Sequence, residues 1–455
     1  MDGAPPPSSS AALLLPEVLQ MLRESPEALG EALSEAHSAD ISTLVEAMRE
    51  AERRALFAAL PPAQAAGIME YLDDAMQAEV LGLLDVPRGA AIVAALPPDE
   101  RADVLRRFPS ARAAALLARL DPKLRAETHH LLTYDPQSAG GLMTTEFVAL
   151  PQTTTVGEAL AHLRGAALHK EAVYSVYATD GEQRLTGVAS LRDLLRAPAE
   201  DEVASVMNRS VVAVPADTDQ EEVARVISKY DLMALPVVDA ERRLLGVVTV
   251  DDVVDVLVEE STEDVQKMGA VSPVDEPYLR AGFWLLTWKR AGWLLVFFVG
   301  ELFTTIVLKN YERELAKTMS LVFFLPLIVA CGGNAGSQSA MLITRGLAVG
   351  ELQVRDVLRV SWRESAMGLA LGAVLGVAGF VRALFWGQTV AFAVVVGTTL
   401  VGVVTLGSLV GATLPLFFKR LGFDPAITSS PFVASLVDVL GLILYLSIAR
   451  LFLLG

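Results

Sequence analysis

Asp438 is the one charged residue in an apolar run from Ala426 to Ala449, so the chain carries a carboxylate to the middle of a segment long enough to cross a bilayer. About 20 apolar residues span the hydrocarbon core, and an Asp at the centre of such a helix costs roughly 3 kcal/mol, so the residue is expected to face a wet interior and meet an ion or substrate. A carboxyl hydrogen-bonded to a neighbouring helix is the alternative. A second concentration of acid precedes the apolar region, where Asp251, Asp252, Asp255, Glu259, Glu260, Glu263 and Asp264 alternate with valines and a leucine. At helical spacing Asp252, Asp255 and Glu259 share one face, and Glu260, Glu263 and Asp264 group just beyond it. Like charges at that density destabilise a helix unless a cation arrives; a solvated linker helix is the other reading.

The elements that must position these groups fall into two unlike halves. Residues 1–280 carry 24 Lys plus Arg against 46 Asp plus Glu, a balance of −22, while the remainder carries 13 against 8, a balance of +5; together they give the net charge of −17. An acidic, soluble first half disfavours nucleic acid and anionic lipid as partners and favours cations. In the second half five spans are expected, at about 284–308, 318–343, 365–385, 389–417 and 427–453. Pro326, Pro415 and Pro431 are expected to interrupt them, and Gly332-Gly333-Asn334-Ala335-Gly336-Ser337-Gln338 to unwind the second, freeing carbonyl oxygens and turning two amides toward Asp438. Gly368, Gly372 and Gly376, four apart, read as a close-packing seam. Lysines and arginines at 289, 290, 345, 355, 359, 363, 419 and 420 outnumber those on the other side, which places the N-terminus inside. Glu301, in the first span, fits a helix–helix hydrogen bond and a pore-entry charge equally.

Met1–Pro16 has no basic region before its short leucine run, so it reads as a disordered tail and not as a signal peptide. Residues 17–137 contain Ala- and Leu-rich stretches punctuated at Leu60-Pro61-Pro62, Leu96-Pro97-Pro98 and Leu120-Asp121-Pro122, which predicts a superhelical stack of short antiparallel helices. From about 140 the texture becomes α/β and repeats itself. Met143 with Pro151 matches Met207 with Pro215, and Arg184-Leu185-Thr186-Gly187-Val188 with Asp193 matches Arg243-Leu244-Leu245-Gly246-Val247 with Asp252. This duplication resembles a tandem pair of CBS domains over 138–203 and 204–258. In that family a Thr or Ser three residues before an Asp contacts adenosine, which makes Thr249 with Asp252, and Ser190 with Asp193, candidates for an adenine nucleotide such as ATP. A helix cap explains the same pairs. The lone Cys331 excludes an intramolecular disulfide, and the histidines at 37, 129, 130, 162 and 169 have no nucleophile or metal spacing near them, so an enzyme is not expected.

The Gly-Gly-Asn-Ala-Gly-Ser-Gln run, followed by Thr344-Arg345-Gly346-Leu347-Ala348 and Gly350-Glu351, and joined by Pro431 seven residues before Asp438, is similar to the MgtE family of magnesium channels. Asp251 to Leu257 with Thr262-Glu263-Asp264 resembles that family's stretch before the membrane. The resemblance implies a multi-domain chain: an α-helical N-domain at 17–137, the CBS pair, an acidic connecting helix at 259–280 and an all-α pore domain of five transmembrane helices at 281–455. It implies a homodimer in the cytoplasmic membrane whose pore lies on the two-fold axis. There Asp438 would bind hydrated Mg²⁺, with Asn334, Gly333 and Ala434 contributing from the glycine run and the last span. Mg²⁺ holds six water or oxygen ligands tightly, so reading its hydrate requires the least dehydration. Divalent ions bridging Asp252, Asp255, Glu260, Glu263, Asp264, Asp231 and Glu221 would close the pore, and the resemblance adds Asp99 and Asp103. The chain departs from the family at Ala434 and Ser435, where a Thr pair is common, and at Ser337. A carrier of Co²⁺ or Mn²⁺ and a CBS-based nucleotide sensor are the competing functions.

Overall fold

The computed structural model of the chain describes residues 9–166, 172–274, 276 and 278–454. It has two compact units, Met1–Val258 and Glu259–Gly455.

The first unit opens with short helices set by proline and aspartate. Helices Pro62–Met69, Pro98–Arg106 and Pro122–Leu131 each begin on the proline that the sequence offers, where a missing N–H leaves no helical bond unmade. Asp73, Asp85 and Asp121 cap the next helices by accepting the N–H groups of Met76, Arg88 and Lys123. Each helix packs on the next but one, as Ser38–Ala47 does on Pro62–Met69 and that helix on Val86–Ala95. Their apolar faces close one core around Leu44, Leu56, Phe57, Ile68, Val80 and Ile92. The expected tail is corrected in part: Ser9–Glu24 is a helix that runs through Pro16, and residues 1–8 lie outside the described residues.

The repeat becomes two three-stranded sheets of identical topology. Strands β1 (Phe147–Pro151), β2 (Ala172–Thr179) and β3 (Leu185–Ser190) form one, and β4 (Val214–Pro215), β5 (Ala234–Val238) and β6 (Leu244–Thr249) the other. In each, the first pair is parallel and the second antiparallel. The copies exchange contacts: Thr144 bridges Val247, and Asn208 bridges Val188. A Cβ on Gly246 would lie 2.7 Å from the Met143 sulfur, and one on Gly187 would strike the Met207 sulfur. The repeated Met and Gly of the two copies are therefore mutual, each methionine lying over the other copy's glycine.

The acidic helix runs Val250–Met268, beginning directly after β6, and no helix forms between Met268 and Gly282 among the described residues. It thus starts and stops earlier than the expected 259–280. Val253 and Val256 bury its first half in the core of the second sheet.

In the second unit five described helices are long and apolar enough to cross a membrane: Phe283–Asn310, Ser320–Ala348, Val354–Phe385, Val390–Arg420 and Ser430–Leu453. The third begins well before 365, taking in Arg359, Arg363 and Glu364. Two expectations are corrected. Pro326 and Pro415 lie inside unbroken helices, and Pro431 sits in the first turn of the last one, so no span is interrupted. The run Gly332–Gly336 is helical throughout. In hydrocarbon an unwound turn exposes backbone groups with no solvent to satisfy them, and this outweighs glycine's weak helix propensity. The glycines serve packing: a Cβ on Gly336 would sit 3.1 Å from the Gly407 carbonyl oxygen, and one on Gly411 would collide with the Gly336 carbonyl. The seam at Gly368, Gly372 and Gly376 is present, with added Cβ atoms 2.8 Å from the Thr405 and Val401 Cα atoms and 2.7 Å from the Gly397 carbonyl oxygen.

Candidate functional site

The last span is launched by Ser429, whose hydroxyl accepts the Phe432 N–H, and two turns later the helix presents Asp438 to the second span. A Cβ on Gly333 would lie 3.1 Å from Asp438 Oδ1 and 3.5 Å from the Ala434 Cβ. Gly333, Ala434 and Asp438 therefore meet, and the bare glycine lets the carboxylate lie against helix backbone. Ser337 fixes the register one turn further on, donating to the Ser430 carbonyl at 3.0 Å. Asn334 and Gln338 are exposed, so the residue against Asp438 is Gly333 and not an amide. With the helix intact, the carbonyls of 332–336 already accept intrahelical bonds and keep one lone pair each for a cation's water shell. Glu301 stands within electrostatic range of Asp438, with Gly300 packed beside Ser435.

A second acidic group lies wholly in the first unit. Glu100, in the first turn of Pro98–Arg106, is pushed up to about 8 by burial, then by Asp103 and Asp252, with Arg107 opposing. Asp252 is pushed up to about 6 by burial, with Asp251 and Asp255 adding and Thr249 opposing. Burial raises Asp103 against the pull of Arg106 and Arg107, and raises Asp255 together with Asp251. Asp99 is buried beside them in the same first turn. The sequence reading passed over Glu100, whose only signal is its place one turn before Asp103. Glu221 and Asp231 lie on a different helix from both Pro98–Arg106 and Val250–Met268. They occupy the first turn and the left-handed cap (φ 50°) of helix Gln220–Tyr230, about 15 Å apart at 1.5 Å per residue, too far for one ion to bridge within the chain.

Both candidate nucleotide pairs adopt the cap arrangement. The Thr249 hydroxyl donates to the Asp252 carboxylate, and Ser190 donates to Asp193 at 2.6 Å while accepting its N–H at 3.1 Å.

The second half of the acidic helix forms a third group within the other unit. Lys267 Nζ pairs with Glu263 and, at 2.6 Å, with Asp424 in the loop before the last span. Burial works against the Lys267 charge, yet the two carboxylates outweigh it and hold its pKa above the usual lysine value. Asp264 is raised by burial and then by Asp424, with Glu260 and Glu263 contributing and Lys267 opposing. Asp424 also accepts the Ala426 N–H at 2.8 Å, so the contact with Lys267 reaches the turn that leads into Ser429. Asp424 escaped the sequence reading because its partner lies far away along the chain. Among the described residues no three His, Cys, Asp or Glu side chains are already grouped to hold a metal.

Family models match residues 36–259, with short gaps, and 325–448. A divalent cation transporter domain of the MgtE type covers residues 325–448, an MgtE intracellular N domain 36–137, and CBS domains 139–200 and 203–259. The chain is 43% identical to the magnesium transporter MgtE of Thermus thermophilus over 97% of its own length and 98% of that protein. It is 33% identical to the magnesium transporter MgtE of Bacillus subtilis, covering 71% of each. Among solved structures, the cytosolic domain of the Mg²⁺ channel MgtE in complex with ATP aligns at a TM-score of 0.51 and 44% identity, over 54% of this chain and 99% of that one. The soluble part of a magnesium transporter aligns at 0.53 and 31% identity, over 55% and 99%.

Proposed function

We propose, because this chain belongs to the MgtE family of divalent cation transporters, that it is a Mg²⁺-selective channel carrying magnesium inward across the cytoplasmic membrane, with its first unit in the cytosol. The observation that carries this reading is the Asp438 carboxylate laid against Gly333 midway along the last of five apolar helices. An anchor needs no such charge. Oxygen ligands with no His or Cys grouped beside them favour a hard cation over a borderline one such as Co²⁺.

Two copies of the chain would set two Asp438 carboxylates across a two-fold axis. The first span, none of whose apolar window is buried within the chain, leaves a long flank free for lipid or for a second subunit. A Mg²⁺ hydrate between the carboxylates would keep its inner waters and donate their protons to Asp438 and to the spare carbonyl lone pairs around Gly333 and Ala434.

Closure would follow from the acidic groups. Mg²⁺ at Glu100, Asp103 and Asp252, and near Glu260, Glu263, Asp264 and Asp424, neutralises carboxylates that otherwise repel, and the closed state gains whatever extra affinity it has for those ions. Asp255, Glu221 and Asp231 would contribute surface charge, and the buried Asp99 would add to the group around Glu100. The turn from Asp424 to Ser429 offers a direct route from the acidic helix to the span that holds Asp438. The ATP bound by a homologous cytosolic domain favours nucleotide binding near Thr249 and Asp252 as a second input. The chain would have no catalytic activity of its own.

Mg²⁺ uptake into liposomes by wild type and Asp438→Ala tests the central claim. Loss of uptake with retained folding is expected, and unchanged uptake would remove Asp438 from the path.

A further inference from the structure

Glu301 is a further carboxylate in an apolar span and, unlike the buried Glu364 that accepts the Ser339 hydroxyl, it has a specific address beside the last span. It lies on the first span, nine residues before that helix ends at Asn310, and is exposed in the single chain. The residue before it, Gly300, marks where the first span crosses the last, because a Cβ there would lie 3.8 Å from the Ser435 Cβ. Ser435 precedes Asp438 by one helical turn, so the crossing brings Glu301 and Asp438 within electrostatic range of each other. One turn beyond Glu301, the Thr304 hydroxyl is buried and has no hydrogen-bond partner.

Among the described residues neither carboxylate forms an ion pair with a cationic side chain. The charged groups nearest to Glu301 along the first span are Lys309 and Arg290, two or more turns away on either side. Two acids so placed in a medium of low dielectric repel strongly unless a cation stands between them or water surrounds them. A lipid-facing position for Glu301 would carry the full insertion penalty with nothing to offset it. A position on the water-filled path of Asp438 removes that penalty.

We propose that Glu301 is the second carboxylate of the permeation path, positioning the hydrated cation against Asp438 from the first span. This rests on the reading of Asp438 given above. Glu301 adds one negative charge per subunit beside the ion held between the two Asp438 carboxylates through its water shell. An ion that arrives hydrated then meets acceptors on two helices.

The test uses the full-length protein in liposomes. Glu301→Gln is expected to raise the Mg²⁺ concentration for half-maximal uptake about tenfold, and to weaken block by hexaamminecobalt(III), an exchange-inert stand-in for a hydrated cation, by a similar factor; Glu301→Asp should recover most of both. A purely packing role would leave the block unchanged. Glu301→Cys in a Cys331→Ala background provides an independent reading, since a negatively charged methanethiosulfonate should reach the thiol, restore uptake, and be slowed by Mg²⁺. If Glu301→Gln blocks and saturates like wild type while Asp438→Ala is inactive, the inference fails and the Asp438 reading stands. If Asp438→Ala conducts normally, that reading fails and the inference with it.

Discussion

Gly333 sets how near a carboxylate can come to the backbone of the second span. The 3.1 Å between its would-be Cβ and Asp438 Oδ1 is tighter than an ordinary van der Waals contact, and Ala434 leaves no slack on the other side at 3.5 Å. Alanine at 333 therefore turns Asp438 aside by a few tenths of an ångström without disturbing the helix, which alanine favours. Recognition through a water shell depends on hydrogen-bond geometry, so a shift of that size acts on the cation and not on the fold. Gly333→Ala is expected to lower Mg²⁺ flux in liposomes about tenfold, equivalent to ~1.4 kcal/mol at the barrier, with the thermal midpoint in detergent unchanged or raised. Gly336, whose added Cβ would press on Gly407 and Val433, behaves differently: alanine there separates two spans and lowers the midpoint as well.

At the scale of elements, the helical stack is held by arginines as much as by its apolar core. Arg88 donates to the Phe57 carbonyl at 2.8 Å and to that of Leu60, Arg112 to those of Leu81 and Leu84 at 2.8 and 2.7 Å, and Arg101 to those of Val93 and Leu96 at 3.2 and 2.8 Å. Each guanidinium fills the carbonyl end of an earlier helix, which four orphan acceptors and the helix dipole both favour. Arg101 is 2% exposed, so its loss strands buried carbonyls beyond the reach of water. Arg101→Met should destabilise the first unit by about 3 kcal/mol, read as a lower urea midpoint in circular dichroism, while leaving the tryptophan signal of the membrane helices in place. None of these pairings was visible in the sequence, because an arginine's partner carbonyl lies five to thirty-one residues back and carries no side-chain signature. The prolines were legible because they act on their own first turn, and the duplication was legible in the equal Met143–Pro151 and Met207–Pro215 spacing, though the Met143–Gly246 swap between copies was not. The glycine run misled because its local preference is set in water, whereas a helix in lipid must keep its own hydrogen bonds. Asp438 was legible because an isolated charge in an apolar span is an anomaly at any register.

Across the whole molecule the charge is divided, −22 before residue 281 and +5 after it, and the first unit must fold with its carboxylates crowded. Glu100 at about 8 and Asp252 at about 6 both lie above their ordinary values of 4.5 and 3.8, so the folded unit binds more protons than the unfolded chain between those limits. The slope of unfolding free energy with pH follows protons bound in the unfolded state minus those in the folded state, and here that difference is negative. Stability of the first unit should therefore fall as pH rises from about 4 through 8, the reverse of a protein whose carboxylates are salt-bridged. Divalent cations act in the opposite sense, since they bind the ionised carboxylates and must displace those protons. Millimolar Mg²⁺ should raise the unfolding midpoint of the first unit strongly at pH 8.5 and little at pH 5.5, and Glu100→Gln should flatten the pH slope and reduce the Mg²⁺ effect together. All five tryptophans lie beyond residue 281, so tryptophan fluorescence reports the membrane helices, and a transition in circular dichroism that fluorescence does not share belongs to the first unit. A Mg²⁺ effect of equal size at both pH values would mean that the ion binds elsewhere than at Glu100 and Asp252.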